Sequence, residues 1–179
     1  MLKILALGGS TSRHSINKAF ATWAAEQLVG CEVEDIDLND FPLPLYSVDT
    51  EEEEGIPAEA GRFLEKIRAT DGVVLSLAEH NGSYAAAFKN LVDWTSRIEV
   101  KLWSEKPMLL LSTSPGKRGG ASVMAAAKQT FPHLGAKITA SFSLPSWNEH
   151  FKAPEGIVVP SLKAEFQSQL NRFESSLRG

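Results

Sequence analysis

Lys3-Ile4-Leu5-Ala6-Leu7-Gly8-Gly9-Ser10-Thr11-Ser12-Arg13-His14-Ser15-Ile16-Asn17 begins apolar, turns through two glycines and a hydroxyl-rich run, and opens into apolar residues at Ile16, Phe20 and Trp23. The start, Lys3 to Leu7, has the make-up of a buried strand, and the spacing from Ile16 onward gives one helical stripe. The sequence therefore opens on a strand, a glycine turn and a helix.

The same alternation continues down the chain. Short apolar runs bounded by turn residues recur at Glu32 to Ile36, Gly72 to Leu77, Met108 to Leu111 and Lys137 to Phe142. Between and after them lie helical patterns: Ala60, Phe63, Leu64 and Ile67; Phe88, Leu91, Val92 and Thr95; Val123, Ala127, Thr130, Phe131 and Leu134; and a terminal amphipathic stripe, Leu162, Phe166, Leu170, Phe173 and Leu177. Strands apolar on both faces and regularly separated by helices predict an α/β fold with a parallel sheet covered on both sides, each crossover right-handed. With five strands, the expected architecture is a flavodoxin-like three-layer sandwich whose sheet runs in the order 2-1-3-4-5.

No internal repeat or interdomain linker interrupts this pattern, and residues 1–179 read as a single domain. Phe41 to Ile56 reads as a long irregular connection: Pro42 and Pro44 forbid regular structure, and Glu51 to Glu54 repel one another, so a solvated loop is predicted there.

Composition removes several classes of function. The 18 basic and 22 acidic residues leave a net charge of −4, too mild for a nucleic-acid surface. Cys31 is the single cysteine and can form neither an intrachain disulfide nor a Cys-rich zinc site, while the four histidines lack metal-ligand spacing. No apolar run reaches the ~20 residues of a membrane span, and the opening residues are too short for a secretory signal. A cytoplasmic protein with no metal and no membrane span is expected.

In a sheet of this order, ligands bind beyond the carboxyl ends of the strands, where the winding reverses, so three loops matter most. The first, Gly8 to Asn17, suits a phosphate: glycines permit a tight turn, hydroxyls and amides donate to anionic oxygens, the following helix start adds its positive dipole end, and Arg13 offers charge-assisted bonds. It has neither G-x-G-x-x-G nor a Walker Gly-Lys-Ser/Thr ending, which points to a monophosphate on a compact ligand rather than a dinucleotide or a nucleoside triphosphate. The second loop, Ala78 to Tyr84, places polar groups and a tight Asn81-Gly82 turn beside an aromatic residue, suiting a flat heteroaromatic ring. The third, Ser112 to Gly120, combines close-approach glycines with Lys117 and Arg118, which offer charge to a nucleotide phosphate.

These residues resemble the NADPH-dependent FMN reductases, a family that includes quinone, azo-dye and chromate reductases. Gly9-Ser10 with Ser15 and Asn17 is similar to the family's G-S-x-R-x-x-S-x-N loop. Glu79 and Asn81-Gly82-Ser83-Tyr84 are similar to its P-E-Y-N-G-S-Y segment, and Lys89-Asn90, Leu91, Asp93-Trp94 and Ser96-Arg97 to its K-N-x-x-D-W-x-S-R helix. Ser114-Pro115-Gly116 with Gly119-Gly120 matches as well, so the likeness runs from the first strand to about Gly135. Two departures stand out: the family's loop arginine falls at Ser12, one position before Arg13, and Ala78 and His80 replace the family's Pro and Tyr.

The resemblance implies that Ser10, Ser12, Ser15, Ile16 and Asn17, with Arg13 nearby, cradle the FMN phosphate. Glu79, His80, Asn81, Gly82 and Ser83, with Ser114, Pro115 and Gly116, are then expected to border the isoalloxazine. It further implies a homodimer or homotetramer, with Trp94, Trp103 and the Trp147 to Phe151 segment as interface candidates. The expected activity is FMN-dependent NAD(P)H oxidoreduction, passing hydride to a quinone, flavin, azo compound or metal oxyanion in a ping-pong cycle. No side chain is assigned as catalytic, since flavin carries the chemistry. The alternatives are a flavodoxin-like electron carrier serving protein partners, and a flavin-free binding module or hydrolase using Ser10 and His14.

Overall fold

The computed structural model describes residues 1–178. In chain order the elements are β1 (Leu2–Gly9), α1 (Ile16–Glu26), β2 (Cys31–Ile36), α2 (Val48–Glu54), α3 (Ala58–Arg68), β3 (Gly72–Leu77), the short pair β4 (Glu79–His80) and β5 (Ser83–Tyr84), α4 (Ala86–Ile98), β6 (Pro107–Thr113), α5 (Ala121–Thr130), β7 (Lys137–Leu144), the single turn α6 (Trp147–His150), the short pair β8 (Phe151–Lys152) and β9 (Gly156–Ile157), and α7 (Pro160–Leu177). Turns of 3-10 helix follow β2 at Leu38–Asp40 and α5 at Phe131–Leu134.

Five strands form one parallel sheet in the order β2-β1-β3-β6-β7, which is the expected 2-1-3-4-5 when those five are counted alone. Alternate residues of each inner strand enter opposite cores. Leu5, Leu7, Val73, Leu75 and Leu110 pack against Phe63 of α3, Phe88 of α4 and Val123 of α5. Ile4, Ala6, Val74, Leu109 and Leu111 pack against Phe20 and Ala24 of α1 and Phe166 and Phe173 of α7. Burial on both faces is why these strands read as unbroken apolar runs rather than as an apolar/polar alternation.

Two expectations require correction. Residues 48–54 form helix α2, not an irregular loop. Ser47 caps it by accepting from the Thr50 amide, Asp49 and Glu51 lie in its first turn where the helix dipole favours them, and Arg97 of α4 pairs with Glu51 at 2.8 Å. Local cap chemistry and a cation from another element thus outweigh the repulsion within the acidic run. Second, Trp94 and Trp103 lie wholly inside the chain and cannot serve as interface residues. Trp94 donates its indole N–H to the Pro44 carbonyl at 2.7 Å, and Trp103 packs between Phe63 and Phe131.

The register fixes where the loops begin. Gly9 lies opposite Leu77, and Leu77 opposite Ser112, so β1, β3 and β6 end level with one another. The three loops singled out by the sequence leave the sheet side by side at its carboxyl edge.

Candidate functional site

In the first loop, each serine hydroxyl of interest already accepts one backbone hydrogen bond. Ser10 Oγ accepts from the Ser12 amide at 3.1 Å, Ser12 Oγ from His14 at 3.3 Å, and Ser15 Oγ from Lys18 at 3.1 Å, the last as the cap of α1. A hydroxyl that accepts in this way keeps its own O–H to donate. Of the first four amides of α1, Lys18 is capped by the Ser15 hydroxyl and Ala19 bonds the Ser15 carbonyl, while Ile16 and Asn17 have no intrahelical acceptor. The loop therefore offers three hydroxyl donors and two amide donors at the positive end of a helix, with the exposed Arg13 beside them. Lys18 is not available to a ligand: its ammonium is paired with Asp37, which holds the Asp37 carboxyl below the usual carboxylate range.

Asn17 is buried, and its side chain faces inward. Its Nδ2 donates to the Thr113 carbonyl at 3.2 Å, and its Oδ1 accepts from the Thr113 amide at 3.1 Å and from Ser76 Oγ at 2.7 Å. The carboxamide thus ties the start of α1 to β3 and to the end of β6, leaving only the backbone amide of Asn17 for an anion. Ser76 and Thr113 were not legible as site residues, although Ser76 carries a signal: a hydroxyl in an otherwise apolar, fully buried strand must have a partner.

The second loop is a two-residue hairpin. Glu79 and His80 pair with Tyr84 and Ser83, and Asn81 and Gly82 at the turn have φ of 51° and 77°, the left-handed values such a hairpin demands. His80, Asn81, Gly82 and Ser83 are exposed at its tip. Tyr84 turns inward, stacked on Phe131 at 6.0 Å with its hydroxyl 3.1 Å from Thr130 Oγ1, and serves as a core-edge aromatic rather than as a ring partner.

Glu79 also points away from the tip. Its Oε2 accepts from the Ser122 and Val123 amides at 2.8 and 2.9 Å, capping α5, whose own N-cap is Gly120 and has no side chain to contribute. One carboxylate therefore fastens the hairpin to the third loop. Glu79→Ala is expected to cost about 1–2 kcal/mol, as loss of a helix cap does, with Glu79→Gln milder because one acceptor oxygen remains. Thermal melting of both variants checks this; equal melting temperatures for Glu79→Ala and the parent chain refute the cap.

The third loop is anchored below and open above. Ser112 Oγ donates to the Gly119 carbonyl at 2.8 Å, and Ser114 and Gly116 accept from the Trp147 and Ser146 amides at 3.1 and 3.0 Å. Pro115 and Gly116 are exposed, Ser114 is half-buried, and the Arg118 guanidinium is engaged with Ser122 Oγ at 2.8 Å. Helix α4 supports the rim indirectly: Asn90 accepts from the Tyr46 amide at 2.8 Å and donates to the Pro44 carbonyl at 2.9 Å, pinning the chain that leads into α2. Together the loops present a set of anion donors and, at the same edge of the sheet, the exposed residues His80 to Ser83 and Pro115 to Gly116. Among the described residues, no group of three or more His, Cys, Asp or Glu is placed to hold a metal ion, and no helix is long and apolar enough to cross a membrane.

Comparison with known proteins bears directly on this rim. The family model described as NADPH-dependent FMN reductase matches residues 2–149, a span containing all three loops. The chain is 33% identical over 141 residues to a quinone reductase of Escherichia coli K12, covering 76% of this chain and 73% of that protein. It is 36% identical over 135 residues to an NAD(P)H-dependent FMN reductase of Pseudomonas aeruginosa, covering 74% and 71% of the two chains. Among solved structures, a flavoenzyme NAD(P)H:(acceptor) oxidoreductase of Paracoccus denitrificans shares the fold with a TM-score of 0.78 at 24% identity, over 99% of this chain and 98% of that one.

Proposed function

The chain belongs to the NADPH-dependent FMN reductase family, and on that premise we propose that it binds FMN across the three-loop rim and passes reducing equivalents from NAD(P)H to a small acceptor. The observation that carries the reading is the donor set of the first loop. Ser10, Ser12 and Ser15 each accept within the loop and keep an O–H to give, and the Ile16 and Asn17 amides complete a cradle suited to a phosphate. Arg13, shifted by one position, adds charge from the solvent side in place of the family's arginine.

FMN, when bound, supplies hydride acceptance and release, so the protein's task is placement. His80 to Ser83 and Ser114 to Gly116 are the groups that would border the ring, the former held by the hairpin turn and the latter by the bonds to Ser146 and Trp147. On this reading, nicotinamide and acceptor would occupy the same face of the ring in succession. That arrangement gives ping-pong kinetics with a quinone, free flavin, azo compound or metal oxyanion as second substrate. Family membership is what supports extending the proposal to a homodimer or homotetramer working in the cytoplasm.

The test is an anaerobic titration of the FMN-loaded protein with NADPH, followed by addition of a small quinone. Loss of the visible flavin absorbance on the first addition and its return on the second is expected, with parallel double-reciprocal plots in steady state. A protein that stays colourless in excess FMN refutes the cofactor. One that binds FMN but consumes NADPH only with a protein partner present is an electron carrier instead.

A further inference from the structure

Resting on the FMN reading above, we infer that Asp37 and Asn39, in the turn after β2, are positioning residues for the phosphate loop and set the preference for FMN over riboflavin, the same ring without its phosphate. Neither belongs to the donor set described above. Residues 11–14 are exposed, and they carry the Ser12 hydroxyl and the Arg13 guanidinium. Most of the bonds that shape them are local: the Ser12 amide to Ser10 Oγ, the His14 amide to Ser12 Oγ, and the Ser15 amide to the Ser12 carbonyl at 3.1 Å. Among the described residues, one hydrogen bond reaches residues 11–14 from another element: Asn39 Nδ2 donates to the Thr11 carbonyl at 3.2 Å.

The peptide joining Thr11 to Ser12 is thereby held at both ends, its carbonyl by Asn39 and its N–H by Ser10. That peptide places the Ser12 hydroxyl. A loop ordered before its ligand arrives loses less freedom on binding, and the gain is confined to the part of the ligand that the loop holds.

Asn39 is fixed in turn by Asp37. Oδ1 of Asp37 accepts from the Asn39 amide at 2.8 Å and from Asn39 Nδ2 at 2.7 Å, and its Oδ2 accepts from Lys18 Nζ at 2.5 Å. The first of these bonds is the cap of the 3-10 turn and accounts for neither of the others. The second aims the carboxamide so that its remaining N–H meets Thr11. The third runs to α1, where the Lys18 amide is capped by the Ser15 hydroxyl. The loop is therefore clasped at both ends, at Thr11 and at Lys18, by two neighbouring side chains of one turn. That turn is a firm base: Leu38 and Phe41 are buried in the same core as Phe63, and Arg62 of α3 donates to the Asp40 carbonyl at 3.0 Å.

Asn39→Ala and Asn39→Asp provide the test, the first removing the carboxamide and the second keeping its shape without an N–H to give. FMN affinity, read from the quenching of flavin fluorescence, is expected to fall about tenfold in both, the upper end of what one hydrogen bond contributes. Riboflavin affinity should stay within about twofold of the parent value, because the brace acts only on the phosphate end. In the FMN-saturated variants the phosphorus NMR resonance should move from its parent position, while the visible spectrum, which reports the ring, stays the same. The apoprotein of Asn39→Ala should melt within about 2 °C of the parent, as expected for a change at an exposed position. FMN affinity within about twofold of the parent, an equal loss for riboflavin, or an unmoved phosphorus resonance overturns the inference and leaves the cofactor reading standing. A parent chain that takes up no FMN overturns both.

Discussion

Gly8→Ala is expected to lower the melting temperature by about 6–12 °C and to abolish stable FMN binding, the former being the shift that roughly 3 kcal/mol produces in a chain of this size. The cause is a close approach of backbone to backbone. A Cβ on Gly8 would lie 2.4 Å from the Lys18 amide nitrogen and 2.5 Å from Lys18 Cα, so no rotamer change relieves it. Restoring the 3.4 Å of ordinary contact requires α1 to move about 1 Å away from β1. That movement opens the core where Phe20, Ala21 and Ala24 are completely buried, and it carries the Ile16 and Asn17 amides away from their place at the sheet edge. Overpacking of side chains commonly costs 1–3 kcal/mol, and a collision with main chain belongs at the upper end of that range. Gly9→Ala is the control. There the new atom meets only the side chains of Leu77 and Phe88, at 3.3 and 3.4 Å, and these can give way. Should Gly8→Ala melt within 2 °C of the parent and still bind FMN, the close docking of α1 on β1 is not what builds the cradle.

The sheet was legible because its physics is written locally. A parallel strand buried on both faces is apolar at nearly every position, so Gly72 to Leu77, with Ser76 its one hydroxyl, announces itself without reference to the rest of the chain. The Asn81-Gly82 turn was legible for a similar reason, since few residue pairs accept two consecutive left-handed conformations. What escaped was the set of long-range polar contacts that turn loops into a site. The destination of the Glu79 carboxylate depends on α5 having a glycine at its cap, 41 positions further on. The order in residues 48–54 depends on Arg97, and the inward turn of Tyr84 depends on Phe131 and Thr130. None of these pairings leaves a periodic trace. Sequence motifs single out the residues but do not say whether a side chain faces ligand or protein. Asn17 and Glu79 both match the family pattern, and both spend their side chains inside the protein.

For Asn17 that distinction has a measurable consequence in the absence of any ligand. Asn17→Ala is expected to destabilise the apoprotein by roughly 2–5 kcal/mol, because it strands the Thr113 amide, the Thr113 carbonyl and the Ser76 hydroxyl in a dry interior, and a buried polar group without a partner costs ~1–3 kcal/mol. The loss falls where it affects function most, since Asn17 joins the first helix to β3 and β6, two of the strands whose ends carry the remaining loops. FMN affinity should fall with it, through misplacement of the Ile16 and Asn17 amides rather than loss of a side-chain ligand. Adding Ser76→Ala removes one of the stranded groups, so the double variant should be more stable than the sum of the two single changes indicates. Chemical denaturation of the three apoproteins measures both effects. A side chain that served the phosphate directly would behave oppositely: apoprotein stability would stay at the parent value while FMN affinity collapsed, and that outcome would rule out the brace.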